Sequence, residues 1–161
     1  MGKVAYVPFT DSGLRGYVDV TASTFNSARH FDKFETPVLS YPDSLAGVSS
    51  GTELYVFGHG SPMSETVSDN AHNKLTMREL AKRLKEAGLT PSIKKIKLAA
   101  CNGGTCAAQS TAAKLLVALR AEGFVSVTVY GYYDKIMVQA EGGSKRGPAG
   151  ERMKDFRLAF K

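Results

Sequence analysis

Two cysteines in 161 residues are too few for a disulfide framework, so burial and hydrogen bonding have to hold the fold. A reducing interior is therefore the expected home where the chain is made, cytoplasmic unless a signal-independent route carries it out. No window is apolar over the length needed to cross a bilayer, which argues against a membrane partner. The opening "MGKVAYVPFT" has no apolar core region and no small-residue cleavage site, so no ordinary signal peptide is expected. Tyr6 also stands where a myristoylation signal carries Ser or Thr. There is no P-loop and no G-x-S-x-G elbow. "GHGSPM" lacks the third glycine of a dinucleotide fingerprint and opens into a loop. No repeat or linker divides the chain, and its length suits a single domain over residues 1–161.

The formal charge of +6 suggests weak affinity for anionic partners and specifies no function by itself. Its lysines and arginines are dispersed through "KRLKEAG", "SIKKIK" and "SKRGPAGERMKDFRLAFK". They do not alternate with aromatics as a single-strand binding platform requires, which argues against nucleic acid. A hydrophobic share of 43% is ordinary for a globular chain with a packed core.

Apolar runs and punctuation give the element order. "KVAYVPF" reads as a strand, followed by the turn-rich "TDSGLRG". "TASTFNSARHFDKF" is compatible with a helix, and "PVLSYPDSLAGVSSG" with a loop. "ELYVF" is a second strand, succeeded by the polar loop "GHGSPMSETVSDNAHNKL". Thr76 and Glu79 form a capping box ahead of Met77, Leu80, Ala81 and Leu84 at helical spacing, with Gly88 at the C-terminal stop. "IKLAA" is a third strand, a helix is expected from about Cys106 to Glu122, and "VSVTVYGYY" is a further strand. The tail reads as two strand-like pieces joined by a Gly-rich basic loop, a C-terminal β-hairpin. Strands alternating with amphipathic helices imply a mostly parallel α/β sheet, whose ligand site lies beyond the carboxyl ends of the strands.

Two strand ends carry chemistry. His59 falls two residues past "ELYVF", and Cys101 directly follows "IKLAA". If the two strands are parallel neighbours, joined by a right-handed crossover, both side chains emerge at one sheet edge. A thiol beside an imidazole is a nucleophile with its proton carrier. Gly60 would let a substrate approach closely, and its N–H with that of Cys101 would form an oxyanion hole. The N-terminus of the following helix would favour thiolate. Cys106 reads as a core cysteine, with a resolving thiol as the less favoured alternative. His30 and His72 read as bystanders. Combining Cys101, Cys106, His59 and His72 as zinc ligands matches no common spacing. No metal or cofactor is implied.

"LYVFGHG" and "IKLAAC", an apolar strand ending in His-Gly and another ending in Ala-Cys with a helix between, resemble the caspase-like cysteine peptidases. That group includes caspases, gingipains, clostripain, legumain, separase and the self-processing domains of large bacterial toxins. The resemblance covers roughly residues 50 to 133. It implies a three-layer α/β/α fold and a cysteine endopeptidase working through a thioester acyl-enzyme, with a protein or peptide as substrate. His59 would be the base and acid, Cys101 the nucleophile and Gly60 an oxyanion-hole donor. The chain reads A-A-C-N-G around Cys101, where caspases carry Q-A-C-x-G. By the same resemblance Asp11, Asp134 or Glu141 would line a pocket for a basic residue, as in the arginine-selective relatives. Asn102 and Tyr132 lie near the expected site without an assigned role. A compact member of this kind suits a bacterial effector or toxin-associated protease. The alternatives are an inactive caspase-like binding module, or a thiol acyltransferase, deamidase or deconjugase using the same pair. No activating small molecule or protein is specified by these motifs.

Overall fold

The computed structural model describes residues 2–28, 33–101, 103–132, 137–138, 145–146 and 157–161. Six strands form the main sheet: β1 (Lys3–Val7), β2 (Leu39–Ser40), β3 (Glu53–Phe57), β6 (Lys95–Ala99), β7 (Thr128–Tyr132) and β10 (Arg157–Phe160). Their order is β10-β7-β6-β3-β1-β2, and every neighbouring pair is parallel except β10 with β7. Helices α1 (Ser12–Ala28), α2 (Met77–Glu86) and α3 (Thr111–Ala121) fill the crossovers. Two small antiparallel hairpins complete the described chain, β4 (Thr66–Ser68) with β5 (Lys74–Thr76) and β8 (Met137–Val138) with β9 (Lys145–Arg146). The chain thus has a mixed α/β fold with a mostly parallel central sheet and three helices, an arrangement compatible with three α/β/α layers.

The two faces of the sheet have different chemistry, and "KIKLA" on β6 explains why. Alternation sends Ile96 and Leu98 to one face, where they meet Leu54, Val56 and Val129, all fully buried. Leu80 and Leu84 of α2 and Leu115 and Leu119 of α3 cover this face and are also fully buried. The opposite face carries Glu53, Tyr55 and Lys97, paired across the strands as Tyr55↔Lys97 and Glu53↔Lys95. Lys97 lies 5% exposed there, its Nζ donating to Glu53 Oε2 at 2.7 Å and to Tyr55 Oη at 2.9 Å. These bonds compensate a buried charge that would otherwise cost several kcal/mol, roughly. Phe25 of α1 reaches this face through Phe34, which packs edge-on against both Phe25 and Tyr55. Hence α1 lies opposite α2 and α3. Right-handed crossovers require the same, since the chain leaves β1 toward β2 but leaves β3 toward β6.

Three elements differ from the sequence reading. The helix expected over residues 21–34 begins at Ser12 and ends at Ala28. Asp11 moves the start forward: its carboxylate accepts from the Gly13 and Leu14 amides at 3.0 and 3.4 Å, so the turn-rich stretch becomes a capped first turn. The polar loop after His59 folds into the β4–β5 hairpin, because Val67 and Leu75 are buried while Thr66, Ser68, Lys74 and Thr76 face outward. The helix expected from Cys106 becomes a 3₁₀ turn (Ala107–Gln109) followed by α3, whose cap is the Ser110 hydroxyl. Cys106 itself has φ +67°, which does not begin a helix, and it is exposed rather than in the core as the sequence reading expects. By contrast the Thr76–Glu79 capping box forms in both directions, as the sequence predicts.

Tyr6 on β1 is fully buried, and its hydroxyl has no hydrogen-bond partner among the described residues. Burial pushes its pKa up to about 12. Removing an unpaired buried hydroxyl should cost nothing, so Tyr6→Phe is expected to leave stability unchanged or to raise it by up to about 1 kcal/mol. Urea denaturation measures this, and a loss beyond about 1 kcal/mol would mean the hydroxyl has a bond of its own.

Candidate functional site

The register of β3 and β6 builds the site. Phe57 pairs with Ala99 as the last Cα partners of the two strands. His59 and Cys101 stand two residues beyond them on neighbouring parallel chains, as the sequence predicts. Beyond that pair the chains stay in contact. A methyl group at Gly60 would stand 2.6 Å from the Cys101 carbonyl oxygen and 3.0 Å from the Ala100 Cβ, so only glycine permits this approach. Among the described residues, neither the Gly60 nor the Cys101 N–H makes a backbone hydrogen bond. The Cys101 thiol itself is half-buried.

The turn after Cys101 is fixed by backbone contact. Gly103 donates to Ala100 O at 3.2 Å and Gly104 to Tyr132 O at 2.6 Å. A Cβ at Gly104 would lie 2.8 Å from the Gly131 carbonyl, so the turn lies flat on β7. The first turn of α3 is occupied: Ala112 N–H donates to Gly103 O, and Ala113 N–H to the Ser110 hydroxyl. The helix start therefore clamps the cysteine turn through its carbonyl.

On the other side of His59 lies a residue that sequence reading did not find. The imidazole Nε2 is bonded to Asn70 Oδ1 at 2.5 Å. An amide oxygen can only accept, so Nε2 carries the proton and Nδ1 is left as the basic nitrogen. Asn70 is held in turn by Asp11, whose Oδ2 accepts the Asn70 N–H at 2.8 Å while the same carboxylate caps α1. Its amide lies against Gly13, where an added Cβ would come within 3.2 Å of Nδ2. Asp11, Asn70, His59 and Cys101 thus follow one another along the carboxyl ends of β1, β3 and β6. This line includes the gap between β1 and β3, where the direction of the crossovers reverses and α/β sheets place their ligands.

The loop bearing Asn70 is built on Asp69, which is 3% exposed. Its Oδ1 accepts the Ala71 and Asn73 amides and its Oδ2 the Asn73 side chain, all at 2.8–2.9 Å. Burial alone would raise the Asp69 carboxyl, but the Asn73 side-chain and backbone amides with the Ala71 amide hold it below its usual value. His72 is exposed in this loop at φ +66°. The opposite lip is stapled to α3, with Thr111 donating to Ser64 O at 2.7 Å and Lys114 to Met63 O at 2.9 Å.

Between these walls lies an open cleft of about 240 Å³, bounded by His59 and Gly60 and by Ser61, Ser64, Thr66, Ser68 and Lys74. Asp11 does not line it, since its oxygens are taken by three backbone amides. Tyr132 is 3% exposed at the end of β7, where its carbonyl receives Gly104. Asn102, Asp134, Glu141 and His30 lie outside the described residues. Among the described residues no group of three or more His, Cys, Asp or Glu side chains could hold a metal ion. None of their helices is long and apolar enough to cross a membrane.

Fold and site together define an α/β protein with a cysteine and a histidine on adjacent strand ends. A family model described as "Domain of unknown function (DUF8616)" matches residues 27–145, most of the chain, and the protein belongs to that family. No curated protein matches the sequence.

Two outcomes follow from this packing. Gly60→Ala drives a methyl into the Cys101 backbone and is expected to cost about 1–3 kcal/mol in urea denaturation; a change below about 0.5 kcal/mol would mean the strand ends part freely. Acid stability gives the second. Burial would raise the Glu53 carboxyl too, but its bond to Lys97 and the charges of Lys97, Lys3 and Lys95 hold it low. With both folded-state pKa values depressed, the unfolded chain binds more protons in acid. Their stabilisation is complete above about pH 5 and is lost as the pH falls through the folded values. Asp69→Asn is expected to lower the urea midpoint at pH 7 and to flatten its fall toward pH 2. A slope identical to that of the unaltered protein would remove Asp69 from this account.

Proposed function

We propose that the protein is a caspase-like cysteine hydrolase, acting as an endopeptidase through Cys101 and His59. The observation that carries this reading is the Phe57↔Ala99 register, which brings His59 and Cys101 to adjacent chain ends with Gly60 pressed on the Cys101 carbonyl. The Asn70 bond adds a second support, because it fixes the imidazole tautomer that can take a proton from a thiol.

In the proposed cycle His59 Nδ1 takes the Cys101 proton, and the thiolate attacks the scissile carbonyl carbon. The Gly60 and Cys101 N–H groups receive the negative oxygen of the tetrahedral adduct. The carbon–nitrogen bond then breaks, the proton on Nδ1 passes to the leaving amine, and a thioester remains on Cys101. Water, deprotonated by His59, hydrolyses the thioester and restores the thiol. Asn70 is a positioning residue throughout: it accepts from Nε2–H and stabilises the imidazolium when it forms. Asp11 holds Asn70 and touches no reacting atom. The chemistry needs no metal or cofactor.

A peptidyl acyloxymethyl ketone read by mass spectrometry tests the reading. Cys101 is expected to label selectively over Cys106, and His59→Ala to slow labelling by about 10²–10⁴-fold, the usual worth of a positioned base. Asn70→Ala should fall between, and should also change the pH profile of labelling, which a merely structural role would leave alone. Slow labelling, shared with Cys106 and indifferent to His59, would sink the hydrolase and favour a binding module.

A further inference from the structure

We infer that the cleft beside His59 is a subsite for an acidic residue on the leaving side of the scissile bond, read by Lys74 and a wall of hydroxyls. This rests on the hydrolase reading of His59 and Cys101. It runs opposite to the basic-residue pocket that the sequence suggested through Asp11 and Asp134.

The lining is set by the β4–β5 hairpin. Alternation buries Val67 and Leu75 and turns Thr66, Ser68 and Lys74 to the outer face. Ser68 and Lys74 are direct cross-strand partners, and the Ser68 backbone is bonded in both directions to His59. The Lys74 backbone is therefore held one strand away from that of His59, with its side chain on the same hairpin face as Ser68. Among the described residues every side chain lining the cleft besides His59 is a hydroxyl or an ammonium, with no carboxylate or large apolar group. Among the described residues the Ser61 and Ser68 hydroxyls and the Lys74 ammonium have no hydrogen-bond or ion-pair partner. Nearby carboxylates are engaged elsewhere: Asp69 by its own loop amides, Glu65 by Lys114 at 3.9 Å, Asp11 by three backbone amides. The wall thus offers donors and one positive charge, the chemistry that receives a carboxylate.

The position decides which part of the substrate enters. Among the described residues none of the Cys101 turn lines this cleft, whose boundary on that side is formed by His59 and Gly60. Since His59 hands its proton to the departing nitrogen, the chain attached to that nitrogen lies on the histidine side. An Asp or Glu at or next to the new N-terminus would place its carboxylate between Lys74 Nζ and the serine hydroxyls. The stapling of Met63 and Ser64 to α3 keeps this wall in place before a substrate arrives.

Two arms test the subsite, the first of them independently of turnover. In the first, Cys101→Ala protein is titrated with the tripeptide amides Glu-Ala-Ala and Lys-Ala-Ala, which mimic the released fragment, and backbone NMR signals are followed. The acidic peptide is expected to shift signals at residues 59–68 and 74 and to bind about tenfold tighter than the basic one, with Lys74→Glu reversing the order. In the second, a proteome-derived peptide library is digested and the cut sites are mapped, with Asp and Glu expected to be enriched on the leaving side and Lys and Arg to replace them with Lys74→Glu. Equal binding of the two peptides, or a leaving-side profile indifferent to Lys74, overturns the subsite while His59-dependent labelling of Cys101 keeps the hydrolase. Lys74-dependent binding of the acidic peptide without Cys101 reactivity overturns the hydrolase and leaves an acidic-peptide cleft.

Discussion

The contact between Gly60 and the Cys101 carbonyl is the constraint on which the site depends. Parallel strands normally diverge once their ladder of hydrogen bonds ends, and β3 and β6 end at Phe57 and Ala99. Here the two chains remain in van der Waals contact for two further residues because one of them has no side chain. The chain positions of His59 and Cys101 are therefore set by a backbone contact rather than by side-chain packing, which is the stiffer way to fix a geometry. Everything else acts on one side or the other of this seam. On the cysteine side, Gly103, Gly104 and the start of α3 clamp the turn; on the histidine side, Asn70 and Asp11 orient the ring.

The polar groups follow the same economy. Asp11 caps a helix and holds Asn70 with one carboxylate, so the entry of α1 and the orientation of His59 depend on one side chain. Asp69 satisfies a loop that would otherwise leave amides unpaired. The buried Lys97 with Glu53 and Tyr55 belongs to the far end of the sheet, away from the cleft, and serves the face covered by α1.

How much of this was legible in the sequence follows from where the information lies. The strands around His59 and Cys101, the α2 capping box and the mostly parallel sheet were readable because periodicity and caps are local signals. Asp11 was read only as a candidate pocket residue in a turn-rich stretch, although D-S-G before an apolar face is also a helix start; in the fold the buried Leu14 and Val18 outweigh the glycines of "SGLRG". The hairpin was missed because its strands are three residues long, too short for alternation to show. Asn70 had no signal at all. It becomes meaningful only when the hairpin folds back on His59, eleven residues away in sequence.

The lip of the cleft is anchored to α2 and α3 largely through main-chain oxygens, with the Ser64 hydroxyl bonding the Thr66 N–H and carbonyl within it. Thr111 and Lys114 donate to the carbonyls of Ser64 and Met63, and the Met77 amide donates to that of Glu65. Carbonyls are common to all residue types, so these three anchors persist whichever side chains Met63, Ser64 and Glu65 carry. The side chains of Ser61 and Met63 make none of these bonds among the described residues, so substitutions there would leave the anchoring in place. What the lip presents at these two positions is thus separable from what holds it in place.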